Sequence, residues 1–138
     1  LREANNYASL LNVLTRFEGA KSLMRKTMPV ARRVLRDEHV FTLQMRANYA
    51  MALYKADSAT LDDLRESVST LEEAEQTARR VLGGAHPVTA GTEGELRDAR
   101  AALRAREEAL ARVGGVAIFA AVALAAVAAV LVLRKKLT

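Results

Sequence analysis

The chain of 138 residues contains no cysteine and no tryptophan, has only 2 prolines, and is 4% aromatic. Without cysteine it has no disulfide framework, no thiolate metal site and no thiol nucleophile. Its 2 histidines are too few to suggest a cluster of metal ligands or general bases. Alanine, leucine, arginine and glutamate dominate instead, and these residues favour helices.

The formal charge of +5 overstates how basic the chain is. Three of its cations, from Arg134 to Lys136, lie within the last five residues. Residues 1–112 carry 18 Lys and Arg against 16 Asp and Glu, a net charge of +2 (18 − 16). This balance does not indicate a nucleic-acid partner.

Two internal repeats organise the sequence. The segment Arg32–Thr42 returns as Arg79–Thr89, 47 residues later (79 − 32), with six of eleven residues identical. Asn6-Tyr7-Ala8 returns as Asn48-Tyr49-Ala50, 42 residues later (48 − 6). Self-similarity at periods of this size is typical of stacked helical repeats. We therefore predict an all-α fold of antiparallel helix pairs, about two and a half repeats over residues 1–112.

Each repeat should turn where a helix stops and the next one starts. Glycine readily takes the left-handed conformation that ends a helix, and proline suits the first helical turn. The predicted repeat-turn residues are His39, Gly83, Gly84, His86 and Pro87. Because the two histidines hold equivalent turn positions, we expect no catalytic, cofactor-binding or metal role for either. The turns are expected at Phe17–Lys21, Arg36–Phe41, Lys55–Ala59 and Gly83–Pro87.

Apolar spacing and capping residues set the expected helix bounds. The first helix, Leu1 to Arg16, should bury one apolar stripe, formed by Tyr7, Leu10, Leu11 and Leu14. The third helix should start at Thr42. The fourth should start after Thr60, where Asp63 completes a capping box, and should run for roughly 22 residues. The chain begins inside a helical pattern, so we expect a processed or truncated N-terminus.

These residues resemble tetratricopeptide repeats of the kinesin-light-chain type. The resemblance rests on Asn5–Leu11, Arg16–Ala20, Arg33–Leu35 and Arg79–Pro87. It covers roughly residues 1–105 and implies stacked helix pairs that contact other proteins. Arg36 and Val40 depart from the family's glycine and proline positions. The resemblance does not by itself imply a cargo-adaptor function.

Val113–Leu133 is a run of 21 residues without a charge or strongly polar group. At about 1.5 Å per residue, a helix of this length reaches roughly 30 Å, the thickness of a bilayer core. We predict a transmembrane helix over residues 113–133 and a short basic tail over residues 134–138. The alternative, a buried helix of a soluble protein, would need a larger domain than residues 1–112 to surround it.

Small residues recur every four positions along this segment. Such a face lets helices approach closely in lipid, although a chance run of alanines is the alternative. The predicted transmembrane packing face consists of Ala117, Ala121, Ala125 and Ala129. A second candidate surface is basic and is either an ordinary solvated face or a site for an anionic partner or lipid headgroups. It consists of Arg25, Lys26, Arg32, Arg33 and Arg46.

Two functions fit this pattern, and neither is enzymatic or requires a cofactor. The first is a structural accessory subunit of a larger membrane complex, whose partners are other protein subunits, including transmembrane helices, and membrane lipid. The second is a tail-anchored adaptor that recruits a soluble protein or peptide. We expect a single-pass protein of an organelle membrane, either mitochondrial, plastid or endoplasmic reticulum. Insertion as a tail anchor would leave the helical array in the cytosol or matrix.

Overall fold

The computed structural model describes the backbone of residues 1–136 and the side chains of residues 1–128. Over the described backbone the chain forms five helices and no strand: α1 (Arg2–Val13), α2 (Phe17–Leu35), α3 (Val40–Lys55), α4 (Leu61–Leu82) and α5 (Pro87–Lys136). The prediction of an all-helical chain is confirmed. Leu137 and Thr138, the end of the predicted basic tail, lie outside the described residues.

The chain divides into two compact units, Leu1–Leu103 and Arg104–Thr138. In the first unit α1 contacts α2, and α3 contacts α1, α2 and α4. The second unit is helical as far as Lys136. The boundary between the units lies before Arg112, the predicted end of the helical array.

The first turn differs from its predicted position at Phe17–Lys21. The turn lies at Leu14–Arg16, and Phe17 already begins α2. Thr15 takes a left-handed backbone with φ of 56°, and the N–H of Arg16 donates to the carbonyl of Leu11 at 2.8 Å. The polar pair Thr15-Arg16 thus makes the turn, and the glycine at position 19 lies inside the helix that follows.

The third helix begins earlier than Thr42. Its N-cap is His39, whose Nδ1 accepts a hydrogen bond from the backbone N–H of Phe41 at 3.2 Å. The histidine ring nitrogen here accepts the backbone hydrogen bond that a hydroxyl or carboxylate oxygen usually accepts at a helix start. Thr42 therefore lies within the helix and is fully buried.

The fourth helix matches the prediction. The N–H of Asp63 donates to Thr60 Oγ1 at 3.1 Å, and the N–H of Thr60 donates to Asp63 Oδ2 at 3.1 Å. These reciprocal bonds form a capping box and satisfy two backbone donors at the helix start. The helix then runs for 22 residues, Leu61–Leu82.

The core of the first unit is built largely from small and flexible side chains, which allow helices to pack closely. Its largest cluster lies where α1, α2 and α3 meet and contains Ala8, Leu11, Ala20, Met24, Ala31, Met45, Tyr49, Ala52 and Leu53. A second cluster joins α3, α4 and the start of α5 through Ala50, Leu71, Leu96 and Ala99. Each helix of the first unit therefore buries a face against a neighbour.

The predicted apolar stripe of α1 is mostly wrong. Of its four residues only Leu11 is buried, whereas Tyr7, Leu10 and Leu14 are exposed. The buried face of α1 combines Leu11 with Ala8 and two asparagines. The reason is that both neighbours, α2 and α3, contact the side of α1 on which Ala8 and Leu11 lie.

Candidate protein-binding surfaces

The two repeated turns have the same backbone geometry. Arg36 follows α2 with φ 70° and ψ 165°, and Gly83 follows α4 with φ 85° and ψ 160°. Three residues after each of these comes a histidine. His86 Nδ1 accepts from the N–H of Val88 at 3.2 Å, as His39 does from Phe41 at the same distance. The repeated sequence thus forms the same turn geometry twice.

These bonds give both histidines a structural position at a helix start. In the part of the chain that the structure describes, no three His, Asp or Glu side chains come together as a metal site would require. Gly83 and Pro87 occupy the end of one helix and the beginning of the next, while Gly84 lies in the turn between them. Gly83, Gly84, His86 and Pro87 therefore lie at the turn between α4 and α5, whereas His39 lies at the turn between α2 and α3.

Two residues of the predicted basic surface, Arg25 and Arg32, have partners within the chain. Arg25 Nε donates to the hydroxyl of Tyr49 at 3.0 Å, and this bond raises the pKa of the Arg25 guanidinium. Arg32 pairs with Asp37 at 2.8 Å. Lys26 and Arg33 are exposed. These four cations of the predicted basic surface are therefore exposed or half-exposed, and two of them are held by partners within the chain.

Arg46 is not a surface residue, contrary to the prediction. Its side chain is 4% exposed, and its guanidinium pairs with Glu73 of α4 at 2.6 Å. Burial lowers the pKa of Arg46, and the nearby Arg32 adds to that effect. Its Nε is buried without a hydrogen-bond partner among the described residues. This arginine joins α3 to α4 and is closed to a partner protein.

Tyr49 joins three helices, a role that sequence reasoning did not identify. Its hydroxyl accepts the bond from Arg25 of α2 and donates to Glu66 of α4 at 2.6 Å. Burial, followed by the bond to Glu66, raises the pKa of the Tyr49 hydroxyl. The repeated Asn-Tyr-Ala triplet indicated that this tyrosine is structurally important. The triplet alone could not identify the side chains that bond to the tyrosine hydroxyl.

Amide side chains connect α1 to α3. Asn12 Nδ2 donates to the backbone carbonyl of Asn48 at 2.9 Å, and Asn48 Nδ2 donates to Asn5 Oδ1 at 2.9 Å. Asn5 and Asn12 are buried on the apolar side of α1. Asn5 and Asn12 could have indicated the contact between α1 and α3, because they are polar residues on a helix face that is otherwise apolar. The predicted apolar stripe did not include them.

A groove of about 440 Å³, lined by both polar and apolar side chains, crosses α1, α3 and the start of α5. It includes amide and hydroxyl side chains that can donate to and accept from a peptide backbone. The lining residues are Asn5, Asn6, Ser9, Gln44, Ala47, Asn48, Met51, Pro87, Val88, Gly91, Thr92 and Glu95. This groove was not predicted from the sequence.

Helix α5 is long enough and, over part of its length, apolar enough to cross a membrane. None of that apolar part is buried. Ala117, Ala121 and Ala125 of the predicted packing face are exposed on it. The side chain of Ala129 lies outside the described residues.

No protein-family model, no curated protein and no solved structure matches the chain. The tetratricopeptide-repeat resemblance therefore stays a prediction from the sequence.

Proposed function

We propose that this protein is a non-enzymatic accessory subunit of a larger membrane complex. In this proposal α5 anchors the chain in the bilayer, and a tetratricopeptide-like helical array contacts the other subunits. The observation that carries the proposal is the amount of apolar surface left uncovered. It occurs in both units, on α1 and along the second half of α5.

The exposed surface of the second unit supports the membrane part of the proposal. Val116, Ile118, Phe119, Val122 and Leu124 are each more than 60% exposed. In water such a helix would leave a continuous apolar surface without cover, whereas lipid tails or a neighbouring transmembrane helix would cover it. A helix that is apolar all round is the pattern expected inside a bilayer.

The exposed face of α1 supports the subunit part of the proposal. Tyr7, Leu10, Val13 and Leu14 are each at least half exposed. Tyr7, Leu10 and Val13 lie on α1 and Leu14 directly follows its last residue, so the four form a contiguous patch rather than scattered contacts. Contiguous apolar patches on folded domains mark surfaces that bind other proteins.

The second candidate function is a membrane-anchored adaptor that recruits a soluble protein or peptide. It is favoured by the groove across α1, α3 and α5, because an extended peptide needs hydrogen-bonding side chains along its path. Ser9→Leu together with Gln44→Leu would fill the groove with apolar groups. An adaptor should then lose its recruited partner, whereas an accessory subunit should keep its place in the complex.

The membrane part is tested by a chain that ends at Arg112. The full chain should resist carbonate extraction from membranes, and the shortened chain should be released. Replacing residues 113–133 with an unrelated transmembrane helix serves as the control and should restore resistance. Resistance of the shortened chain would mean that another element anchors the protein.

A further inference from the structure

We propose that the end of α2 and the turn after it form a docking surface for an acidic segment of another protein. The proposal rests on the subunit function above and specifies the chemistry of one contact. The surface consists of the exposed residues Arg33, Val34 and Arg36 and is called the α2 turn surface below.

Arg36 has a backbone conformation that does not suit an arginine. Its φ is 70° and its ψ is 165°, a region that is occupied almost only by glycine. The equivalent residue downstream is Gly83, which has the same geometry without a side chain. Strained residues of this kind cluster at binding and catalytic sites, where the side chain has a function that offsets the strain. The conformation of Arg36 therefore points to a function of its side chain.

That function does not lie within the described part of the chain. The exposed Arg36 guanidinium has no ion pair or hydrogen bond to any described residue. A favourable position at the negative end of the helix dipole does not explain it either, because Arg32 and Arg33 already occupy the last turn of α2. Helix α4 ends with the equivalent pair, Arg79 and Arg80, and needs no third cation.

The acidic residues of this turn are already paired with other arginines. Arg32 pairs with Asp37 at 2.8 Å, and Arg80 of α4 pairs with Glu38 at 3.0 Å. Four arginines and two acids therefore meet here, with a net charge of +2 (4 − 2). An arginine fork binds a carboxylate through two parallel hydrogen bonds. The electrostatic complement of the surface is thus a segment that presents carboxylates.

A further helix pair ahead of Leu1 would leave Val34 and Arg36 uncovered. The downstream turn shows this, because α4 has the turn after α2 beside it. Even so, Val81, the equivalent of Val34, remains 45% exposed. A Cβ atom at Gly83, the equivalent of Arg36, would meet nothing within 4 Å. Stacking of one repeat on the next therefore does not use these two positions.

Arg33 differs from Arg36 in this respect. Its equivalent, Arg80, pairs with Glu38 of the turn before it, so a preceding turn of this chain would reach Arg33 in the same way. Such a pairing would still leave Arg36 as an unpaired cation of the surface. The tests below are therefore made on Arg36.

Val34 favours a protein partner over a phosphate group. It is 62% exposed, and it is identical in the two copies of the repeated turn although neither copy buries it. The core of a protein interface combines apolar contacts with arginine, whereas a phosphate group complements the guanidinium alone. An acidic segment with an apolar side chain next to its carboxylate fits both residues.

Carbodiimide coupling tests the contact with a carboxylate. Arg36→Lys replaces the guanidinium with a primary amine, which the reagent joins by an amide bond to a carboxylate in contact with it. In native membranes this variant should give a product larger than the chain by the mass of another protein. The natural chain, with its own lysines, should not give this product. Arg97→Lys, at a residue whose side chain is 80% exposed, is the control and should not give it either.

Arg36→Gly provides two measurements that should change in opposite directions. The melting temperature of the purified full chain should rise, because the strained side chain is removed. Association of the chain with its large particle should weaken about tenfold, which corresponds to about 1.4 kcal/mol. Release of the chain on dilution of the solubilised particle measures this association. A variant that failed to fold would lower both values, and Arg97→Ala, the control, should change neither.

Each outcome bears on the proposal. A coupled product of twice the mass of the chain would overturn it in favour of a second copy, and coupling only within the chain, without a change in mass, would overturn it in favour of a segment of the same chain. Weaker association of Arg36→Gly without any coupled product of Arg36→Lys would overturn it in favour of a phosphate group. If the natural chain migrates in a large particle but neither variant has an effect there, this inference fails and the proposed function stands. Migration of the natural chain only as a small particle would overturn both.

Discussion

Arg36 and Gly83 follow the ends of α2 and α4 with the same left-handed backbone, at φ of 70° and 85°. With ψ near 160°, this region is occupied almost only by glycine, because a Cβ atom crowds the backbone there. The upstream turn therefore carries strain that the downstream turn avoids. The chain keeps one backbone geometry at both turns although only one has the residue suited to it.

Replacing Arg36 with glycine should stabilise the first unit. Removing the strained side chain should raise the free energy of unfolding by about 1 kcal/mol. The matched control is Gly83→Ala, which places a Cβ atom in open space, so any loss of stability there is conformational. Thermal melting of the purified full chain, followed by far-UV circular dichroism, measures both. A fall in stability on Arg36→Gly would show that the positive φ is not strained.

Thr42 and Thr89 form a second matched pair, since both are fully buried at corresponding positions. Thr89 Oγ1 donates to the carbonyl of Gly83 at 2.9 Å, whereas Thr42 Oγ1 has no hydrogen-bond partner among the described residues. Thr42→Val should therefore stabilise the chain by about 1 kcal/mol, and Thr89→Val should destabilise it by a similar amount. Chemical denaturation of the two variants separates these opposite signs. The same sign for both would contradict the assigned bonds.

Much of this architecture could be predicted from the sequence, and the reasons differ between elements. Thr60 and Asp63 predict the start of α4 because a capping box depends only on local spacing. Gly83 and Pro87 likewise predict a turn from local backbone preference. The exposure of Tyr7 could not be predicted that way, because burial depends on which neighbouring helix is present. The same limit explains Arg46, whose Glu73 partner lies 27 residues further along the chain.

The stability of the chain should depend on pH through Asp63. Its hydrogen bond from Thr60, together with the one from Lys21 Nζ at 2.9 Å, lowers the pKa of the carboxyl from 3.8 to about 2. A carboxyl with a lowered pKa in the folded state stabilises that state above its unfolded pKa. The contribution is therefore present at neutral pH and is lost as pH falls from about 4 to about 2.

Asp63→Asn should consequently be less stable than the natural chain at neutral pH, with the difference shrinking on acidification through this window. Asp62→Asn is the control, because Asp62 is 95% exposed in the same helical turn. Denaturation curves across the pH range give the comparison. A difference for Asp63→Asn that does not change with pH would contradict the role of its charge.

Arg46 should matter for folding rather than for binding. Arg46→Ala removes a buried side chain that pairs with Glu73 at 2.6 Å and should cost about 2 kcal/mol of stability. Arg33→Ala, on the exposed side of α2, should change stability by less than about 0.5 kcal/mol. Melting temperatures of the two variants test this contrast. Equal melting temperatures for the two variants would mean that the buried pair of Arg46 and Glu73 adds no stability.

If the protein is a subunit of a membrane complex, α5 should pack against a transmembrane helix of another subunit through its small residues. Ala121→Leu with Ala125→Leu should leave membrane insertion intact, because leucine favours the bilayer. The same double variant should weaken assembly, because bulky residues prevent close approach between helices in lipid. Carbonate resistance and yield of the assembled particle measure the two effects separately. The control is Val122→Leu, which keeps the neighbouring small residues unchanged.

The size of the particle that leaves the membrane in a mild detergent tests the subunit function most directly. The chain has a mass of 15.0 kDa, so its own detergent complex is small and easily separated from a large assembly on a native gel. We expect the natural chain to migrate within a particle many times that mass. The variant that carries both Ala121→Leu and Ala125→Leu should shift toward the small form. Migration of the natural chain only as a small particle would contradict the account.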